Sequence, residues 1–263
     1  MKKAKVVVLR TAGTNCDYET AHGFRTVGAD VDMIHINQFI RGEKQLAPYH
    51  ILVLAGGFSY GDDIAAGKLL ANELKYRLRE PVEQFVADGK LIIGICNGFQ
   101  VMVKAGLLPG FNGISEVQEA TLYTNDSGKF ECRWVYLKHV GDDKCVFTRN
   151  IKETIYLPVA HGEGKFTTIS EKTLDALEAG DQVVFKYVDA DGNPAGYPWN
   201  PNGSDRHIAG ICDSTGRIFG LMPHPERHLS RYNHPRWTRE NLPEEGDGLA
   251  IFRNAVEYAQ REI

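Results

Sequence analysis

The sequence is poor in cysteine, and the positions of the few that are present exclude two common uses of that residue. The 263 residues include five cysteines, an odd number, and no two of them form a C-x-x-C pair. Neither a disulfide framework nor a zinc knuckle is predicted, and free thiols in a reducing compartment fit this pattern. The simplest interpretation of Cys132, Cys145 and Cys212 is that each is a small buried hydrophobic side chain.

Long apolar runs and an excess of charge of one sign are also absent. No segment approaches the roughly 18 apolar residues of a membrane span. The apolar run after the N-terminal lysines ends at Arg10 without the small residues of a signal-peptide cleavage site. The formal net charge is only -4, so no polyanion-binding surface is indicated. We therefore expect a cytoplasmic globular protein that binds neither nucleic acid nor membrane.

The first part of the chain alternates short apolar runs with stretches of helical length. The runs are "KVVVLR" (5–10), "VDMIHI" (31–36), "ILVLAGG" (51–57) and "LIIGIC" (91–96), and the longest stretch between them covers 62–89. This alternation predicts βαβ units and a parallel sheet, in which ligands bind at the carboxyl ends of the strands.

After about residue 119 the pattern changes to strand-like segments separated by glycine-rich or polar turns, which predicts antiparallel strands and hairpins. The polar, proline-bearing segment 228–248 is predicted to be an ordered loop, and an amphipathic helix closes the chain. Internal repeats and low-complexity segments are absent. Residues 1–263 are thus predicted to form a single α/β domain, with a central, mostly parallel sheet flanked by helices and an additional antiparallel region.

The stretch "GICNGFQ" places Cys96 between two glycines, where a predicted strand ends and a helix begins. This layout is typical of a nucleophile elbow, in which a sharp turn lifts the side chain above the sheet. Gly94 and Gly98 supply the room, and the N–H of Asn97 at the helix start can face an oxyanion. The alternative is a structural cysteine, with glycines that serve only close helix packing.

The second unusual stretch is "MPHPER". Because a residue before proline avoids the helical region, Pro225 keeps His224 extended. Positions i and i+2 of an extended segment face the same way, so His224 and Glu226 project together as a base and its orienting carboxylate. Cys96, His224 and Glu226 are thus candidates for a catalytic triad. The alternatives are a solvated surface turn and a metal site made of His224, Glu226 and His228.

Two further chemistries are excluded by missing residues. The segments "HGE" (161–163) and "HPE" (224–226) resemble the H-x-E of zinc deaminases, but their P-C-x-x-C partner is absent. A P-loop in "GDDIAAGKL" fails because five residues separate Gly61 from Gly67 and Leu69 replaces the required hydroxyl residue. A deaminase-type zinc site and a nucleotide site are therefore not predicted in this chain, and the metal site at His224, Glu226 and His228 stays only as the alternative to the triad.

With these residues in hand, the sequence resembles the class I, triad-type glutamine amidotransferases. "GICNGFQ" matches their elbow, and "HPE" matches their His-x-Glu pair in the expected order. More narrowly, "AGTNCDYET", "LAGGFSYGDDIAAGK", "PVAHGEGKF" and "MPHPER" are similar to the glutaminase subunits of phosphoribosylformylglycinamidine synthases. The resemblance runs from about residue 5 to 260 and implies the flavodoxin-like amidotransferase fold.

The resemblance also implies the roles of particular residues. Cys96 would attack the carboxamide carbon of glutamine, His224 would move protons and Glu226 would orient the imidazole ring. Backbone N–H groups of Gly57 and Asn97 would form the oxyanion hole. The residues implied to lie beside the substrate glutamine are Gln100, Phe58, His161 and Glu163. For Gly57 a tight turn, and for Phe58 simple packing, are the alternatives.

Partners and cofactors follow from the same resemblance. Ammonia would pass to a synthetase subunit that uses ATP and Mg²⁺ to make formylglycinamidine ribonucleotide in purine biosynthesis, with a small bridging subunit in the same complex. This chain itself would need no cofactor. Two other functions stay open: a free-standing hydrolase of γ-glutamyl or peptide bonds, and a catalytically silent regulatory or docking module.

The chain departs from the family pattern at two places. Ala12 stands where many relatives have proline, and the tail over 228–248 is longer than in the shortest members. The aromatic and basic residues of "RYNHPRWTR" are candidates for partner docking, with a solvated loop as the alternative. Cys16 in "GTNCD" lacks the elbow geometry and no base is expected near it, so a structural role is predicted.

Overall fold

The computed structural model describes residues 3–141 and 143–263, so the first two residues of the predicted 1–263 domain and of its N-terminal segment lie outside the described residues. The helices and strands in chain order are β1 (Lys5–Arg10), α1 (Asp17–Thr26), β2 (Asp30–His35), α2 (Ile36–Ile40), β3 (Ile51–Leu54), α3 (Lys68–Arg77), α4 (Arg79–Ala87), β4 (Leu91–Ile95), α5 (Asn97–Ala105), β5 (Ala120–Tyr123), β6 (Glu131–His139), β7 (Thr154–His161), β8 (Lys165–Thr168), α6 (Glu171–Ala179), β9 (Val183–Val188), β10 (Ile208–Cys212), β11 (Ile218–Leu221) and α7 (Leu249–Glu262).

One nine-stranded sheet runs through the molecule in the order β2-β1-β3-β4-β11-β10-β9-β6-β7. The pairs from β2 to β11 are parallel, and the pairs from β11 to β7 are antiparallel. Strands β5 and β8 form a separate antiparallel pair. The predicted fold class is confirmed, and most of the antiparallel strands extend the main sheet instead of leaving it.

Helices cover both faces of the sheet, which explains why the central strands are apolar throughout. Consecutive residues of a strand face opposite sides. In β11, Phe219 packs against Phe147, whose carbonyl accepts a hydrogen bond from Asn254 of α7, whereas Gly220 lies under Phe99 of α5. Helices α5 and α7 therefore lie on opposite faces. Every residue of β3 and β4 is buried between the two helical layers.

The helix-length stretch 62–89 contains two helices, which follow a loop over 63–67. Helix α3 ends at Arg77 and α4 begins at Arg79, with Leu78 between them at φ −119° and ψ 19°. Proline has no N–H and its ring clashes with the carbonyl four residues earlier, so it is tolerated only in the first turn of a helix. Pro81 therefore forces the break and then lies in the first turn of α4. Among the described residues, no helix has both the length and the apolar character needed to cross a membrane.

Candidate active site

Cys96 is the single residue between β4 and α5, and its backbone is strained. Its φ is 52° and its ψ is −107°, a region that side-chain-bearing residues rarely adopt. The N–H of Cys96 donates to the carbonyl of Leu221 at 2.8 Å, which fixes the turn to β11. This is the geometry of a nucleophile elbow, in which the chain reverses sharply at the reactive residue.

Two glycines allow the elbow to pack this tightly. A Cβ on Gly98 would overlap the carbonyl oxygen of Leu54 in β3, and a Cβ on Gly94 would overlap the sulfur of Met102 and the backbone of Gly98. The start of α5 thus lies directly against β3 and β4. The expected collision of a larger side chain with neighbouring backbone is confirmed at both positions.

His224 and Glu226 lie together in the interior. The side chains project from one short segment, because His224 is extended at φ −103° and ψ 93° and Pro225–Arg227 form a 3-10 turn. The Nδ1–H of His224 donates to Oε1 of Glu226 at 2.6 Å, and the two residues are 1% and 3% exposed. A solvated surface turn, the alternative for this segment, is therefore wrong. The Nε2 atom of His224 is buried without a hydrogen-bond partner among the described residues.

Opposing effects set the pKa of His224. Burial on its own lowers that pKa, but the negative charge of Glu226, followed by the sulfur atoms of Cys96 and Cys16, raises it well above the ordinary value. The structure thus brings Cys96, His224 and Glu226 together, as the motifs indicate. The arrangement lets the imidazole accept and hold a proton beside a thiol.

A cavity of about 140 Å³ opens in front of Cys96. Of the residues predicted to lie beside a substrate, Gly57, Phe58, Gln100, His161 and Glu163 all line it. The rings of Phe58 and Phe130 lie at its rim, with centroids 6.4 Å apart. His224 and Glu226 lie outside the lining of this cavity. The cavity is large enough for a small amino acid next to the sulfur atom.

The side chain of Asn97 serves the protein interior, not the cavity. Its Oδ1 accepts the N–H of Ser59 at 3.1 Å, and its Nδ2 donates to Asp62 at 3.0 Å and to Gln100 at 2.9 Å. These bonds tie the first turn of α5 to the loop that follows β3. Asn97 is not among the residues that line the cavity, so only its backbone N–H, the group named by the sequence prediction, is a candidate to bind a ligand there.

Sequence reasoning missed Asp62 and Phe130, which also line the cavity. Asp62 accepts hydrogen bonds from Gly67 and Asn97, and its pKa is raised, mainly by burial and also by the nearby charge of Glu163. The acidic pair in "GDD" was a signal for Asp62, but the segment was interpreted only as a failed P-loop and as part of a family motif, and no site role was predicted for Asp62. No local signal marks Phe130, which the chain delivers just before β6.

His161 is held in its neutral form. The Oδ1 of Asn125 accepts the N–H of Gly164 at 2.9 Å and therefore also accepts the Nδ1–H of His161 at 3.1 Å. Nε2 is left to accept from Asn202 at 3.5 Å. Burial, and then the positive charge of His224, lowers the pKa of His161 to about 3. This ring can shape the cavity but carries no charge there.

The expectation that no base lies near Cys16 is wrong. Ligand-type atoms of Cys16, His224 and Glu226 all lie within 4.8 Å of one another. Local sequence could not show this, because the contact joins α1 to the segment after β11. The predicted metal alternative with His228 is not formed among the described residues, since Nδ1 of His228 donates to the carbonyl of Tyr156 at 2.7 Å. At the cluster of Cys16, His224 and Glu226, the positive charge of Arg227, whose guanidinium donates to Cys16 at 3.1 Å, disfavours a bound metal cation.

A parallel sheet with a cysteine elbow, backed by a buried His–Glu pair, defines an α/β enzyme of the glutamine amidotransferase type. Residues 3–259 match the model of the CobB/CobQ-like glutamine amidotransferase domain, and the chain belongs to that family. Its similar proteins are more specific. Phosphoribosylformylglycinamidine synthase subunit PurQ of Dehalococcoides mccartyi is 50% identical over 262 residues, 99% of this chain and 100% of that protein. The PurQ subunit of Archaeoglobus fulgidus is 47% identical over 273 residues, 99% of this chain and 98% of its own.

A solved structure agrees with these relatives. A chain in the structure of PurLQS from Thermotoga maritima has a TM-score of 0.74 and 31% identity to this chain. The match covers 98% of this chain and 99% of that one. The family predicted from the motifs is thereby confirmed over almost the whole sequence.

Proposed function

We propose that this chain is the glutaminase subunit of a phosphoribosylformylglycinamidine synthase of purine biosynthesis. The observation that carries the proposal is the position of Cys96, which lies between the substrate-sized cavity and the His224–Glu226 pair. The match to the glutamine amidotransferase domain supplies the substrate, glutamine, and the full-length similarity to PurQ subunits supplies the synthase.

The chemistry follows from the three side chains. His224 takes the thiol proton of Cys96, and the sulfur attacks the carboxamide carbon of glutamine to form a tetrahedral intermediate. The imidazolium then gives that proton to the departing nitrogen, so ammonia leaves and a γ-glutamyl thioester remains. Water, deprotonated by the same imidazole, hydrolyses the thioester to glutamate. Glu226 keeps Nδ1 protonated, so Nε2 is the atom that exchanges protons.

Backbone N–H groups stabilise the negative oxygen of the tetrahedral intermediate. Asn97 begins α5, where the N–H groups of the first turn have no partner within the helix and the helix dipole favours negative charge. Gly57 lines the cavity beside Cys96, in the loop that follows β3. We assign the oxyanion hole to these two N–H groups.

The far end of the cavity binds the amino-acid part of glutamine. Gln100 of α5 donates to the carbonyl of Glu163 at 2.6 Å, and the Glu163 carboxylate accepts the N–H of Ala66 at 3.2 Å. These contacts join α5 and the loop after β3 to the segment that follows β7. The carboxylates of Asp62 and Glu163 provide negative charge for the α-ammonium group of the substrate. His161 and Phe58 supply neutral walls.

Ammonia is used by a partner chain. The synthetase subunit binds ATP and Mg²⁺, a small bridging subunit completes the complex, and the complex works in the cytoplasm. The similarity to a chain of PurLQS from Thermotoga maritima supports a partnership of this kind. Tyr232 and Trp237, exposed in the "RYNHPRWTR" segment with ring centroids 5.4 Å apart, are our candidates for partner docking.

Cys96→Ala tests the proposal in the assembled complex. The variant is expected to lose glutamine-dependent synthesis and to keep ammonia-dependent synthesis, because only the source of nitrogen is removed. Cys145→Ala is the matched control, since Cys145 is a buried thiol outside the cavity, and it should keep both activities. Full glutamine-dependent synthesis by Cys96→Ala would refute the proposal.

Two further measurements separate the alternatives. Strong glutamine hydrolysis without any partner would favour a free-standing hydrolase. A wild-type complex in which Cys96 is not labelled by an electrophilic glutamine analogue would favour a silent docking module.

A further inference from the structure

The second buried thiol of the site, Cys16, has a fixed backbone. It lies immediately before α1 and is 1% exposed. Its N–H donates to the carbonyl of Gly56 at 3.2 Å, and its own carbonyl accepts the hydroxyl of Thr20 at 2.6 Å. The sulfur atom therefore has a defined position between α1 and the loop that follows β3.

From that position the sulfur meets both ends of the segment that carries the His–Glu pair. The Nη2 of Arg227 donates to the sulfur at 3.1 Å. A Cβ on Gly56 would lie 3.1 Å from the sulfur and 3.0 Å from Cε1 of His224, so the two atoms converge on the same glycine. The interaction with Cys16 also raises the pKa of His224, although burial, the largest effect, lowers it.

Cys16 is not a second nucleophile. It does not line the cavity, whereas Cys96 does. Its φ of −97° and ψ of 14° are unstrained, and its thiol already has Arg227 and Asn15 as partners. In contrast, Nε2 of His224 is buried without a hydrogen-bond partner in the described part of the chain. Glu226 holds the ring at Nδ1, and Cys16 approaches it near the Cε1 edge, which gives the ring a second support.

We infer that Cys16 is a positioning residue for the proposed glutaminase reaction. It supports the edge of the His224 ring and, through Arg227, fixes the turn that carries Glu226. The inference rests on the proposed function, because it assigns Cys16 a part in proton transfer by His224. A ring held at one position only would turn away from Cys96. Misplacing a group that transfers protons lowers the rate of the chemical step far more than it changes substrate binding.

Cys16→Ala and Cys16→Ser test the inference in the glutaminase reaction of the assembled complex. A misplacement of about 1 Å in a catalytic group can lower the rate by about 100-fold, so kcat of the alanine variant should fall by roughly 10- to 100-fold. KM should change less than about two-fold, because Cys16 does not line the cavity. The serine variant should recover much of the loss, since a hydroxyl still accepts from Arg227. Cys145→Ala, checked for folding by circular dichroism like the others, should match the wild type.

A second measurement does not depend on glutamine. The rate of Cys96 alkylation by iodoacetamide, followed by peptide mass spectrometry, should fall about ten-fold in Cys16→Ala, because the base that activates the thiol is displaced. Cys132 is exposed and serves as the internal reference in the same sample. If the wild-type complex hydrolysed no glutamine, the proposed function would fail while this measurement still tested Cys16.

The inference is overturned if folded Cys16→Ala keeps kcat and the Cys96 alkylation rate within about two-fold of the wild type, a factor too small for lost positioning. It is also overturned if KM rises while kcat is unchanged, or if the serine and alanine variants lose equal activity. Should Cys16→Ala fail to fold, Arg227→Gln replaces it, and wild-type kinetics in that variant would contradict the inference in the same way.

Discussion

His161 and His224 are both buried at the site, and their surroundings move their pKa values in opposite directions. The neighbours of His224 include Glu226 and two sulfur atoms, which outweigh the effect of burial and raise its pKa. Among the described residues, the ring of His161 has amide partners in Asn125 and Asn202, and burial, followed by the positive charge of His224, lowers its pKa to about 3. His224 is thus suited to hold a proton, whereas His161 stays neutral.

The low pKa of His161 predicts a loss of stability in acid. The unfolded chain binds a proton at this residue below about pH 6.5, whereas the folded chain does so only near pH 3. The contribution of neutral His161 to the free energy of unfolding is therefore fully present above the pKa that this residue has in the unfolded chain. It falls as the pH drops from there to the pKa in the folded chain, by up to about 1.4 kcal/mol per pH unit. The wild type is therefore expected to exceed His161→Gln in free energy of unfolding by less at pH 4.5 than at pH 7, two values that span roughly that window.

Urea unfolding at the two pH values measures the gap. His22→Gln, which changes an exposed histidine on α1, is the control for replacing a histidine as such. A His161→Gln gap that is constant or wider in acid would contradict the prediction.

Among single residues, the sequence identifies those whose signal is local. Cys96 has flanking glycines, and His224 has a proline that fixes its conformation and a carboxylate at i+2. Cys16 could not be found in this way, and the acidic pair in "GDD" marked Asp62 without indicating its role. Their place in the site depends on the packing of the segment before α1 and of the loop after β3 against distant segments.

At the scale of an element, the first turn of α5 depends on the missing side chain of Gly98. A methyl group there would overlap the carbonyl oxygen of Leu54, which belongs to β3 and cannot move freely. Gly98→Ala is therefore expected to lower the free energy of unfolding by about 1–3 kcal/mol, the usual effect of overpacking. It should also lower glutaminase activity, because α5 must shift away from β3 together with Cys96.

Gly196→Ala is the control for that experiment. No atom lies within 4 Å of a Cβ built at Gly196, and its backbone is not left-handed. Urea unfolding should therefore show little change in that variant. If Gly98→Ala were as stable and as active as Gly196→Ala, the described contact between α5 and β3 could not be correct.

The elements themselves were predictable to different degrees. Strands β1, β3 and β4 have continuous apolar runs, since both of their faces are covered, whereas the edge strand β2 alternates between buried and exposed residues. All four strands were expected from the sequence. The position of β11 was not predictable. It pairs with β4 on one side and β10 on the other, and such pairing is decided by contacts between residues far apart in sequence. The break at Leu78 was signalled by Pro81 but was missed.

For the whole molecule, we predict that the chain unfolds as one unit. The sheet is continuous from β2 to β7, and β11 links its parallel and antiparallel parts. All three tryptophans, at 134, 199 and 237, follow β4, whereas helices α1 to α5 flank the parallel part. Tryptophan fluorescence and far-ultraviolet circular dichroism therefore report different parts of the chain, and their urea unfolding curves should coincide. Separate midpoints would show that the chain contains two domains.

The place of β11 in the sheet also bears on how the protein is made. A ribosome releases β4 and Cys96 well before residues 218–221 emerge, so the growing polypeptide carries a bare apolar strand edge throughout that interval. A truncated chain that ends within that stretch would keep the unpaired edge of β4 and would contain Cys96 without His224. Such fragments are expected to aggregate or to be degraded by proteases, and they could not hydrolyse glutamine.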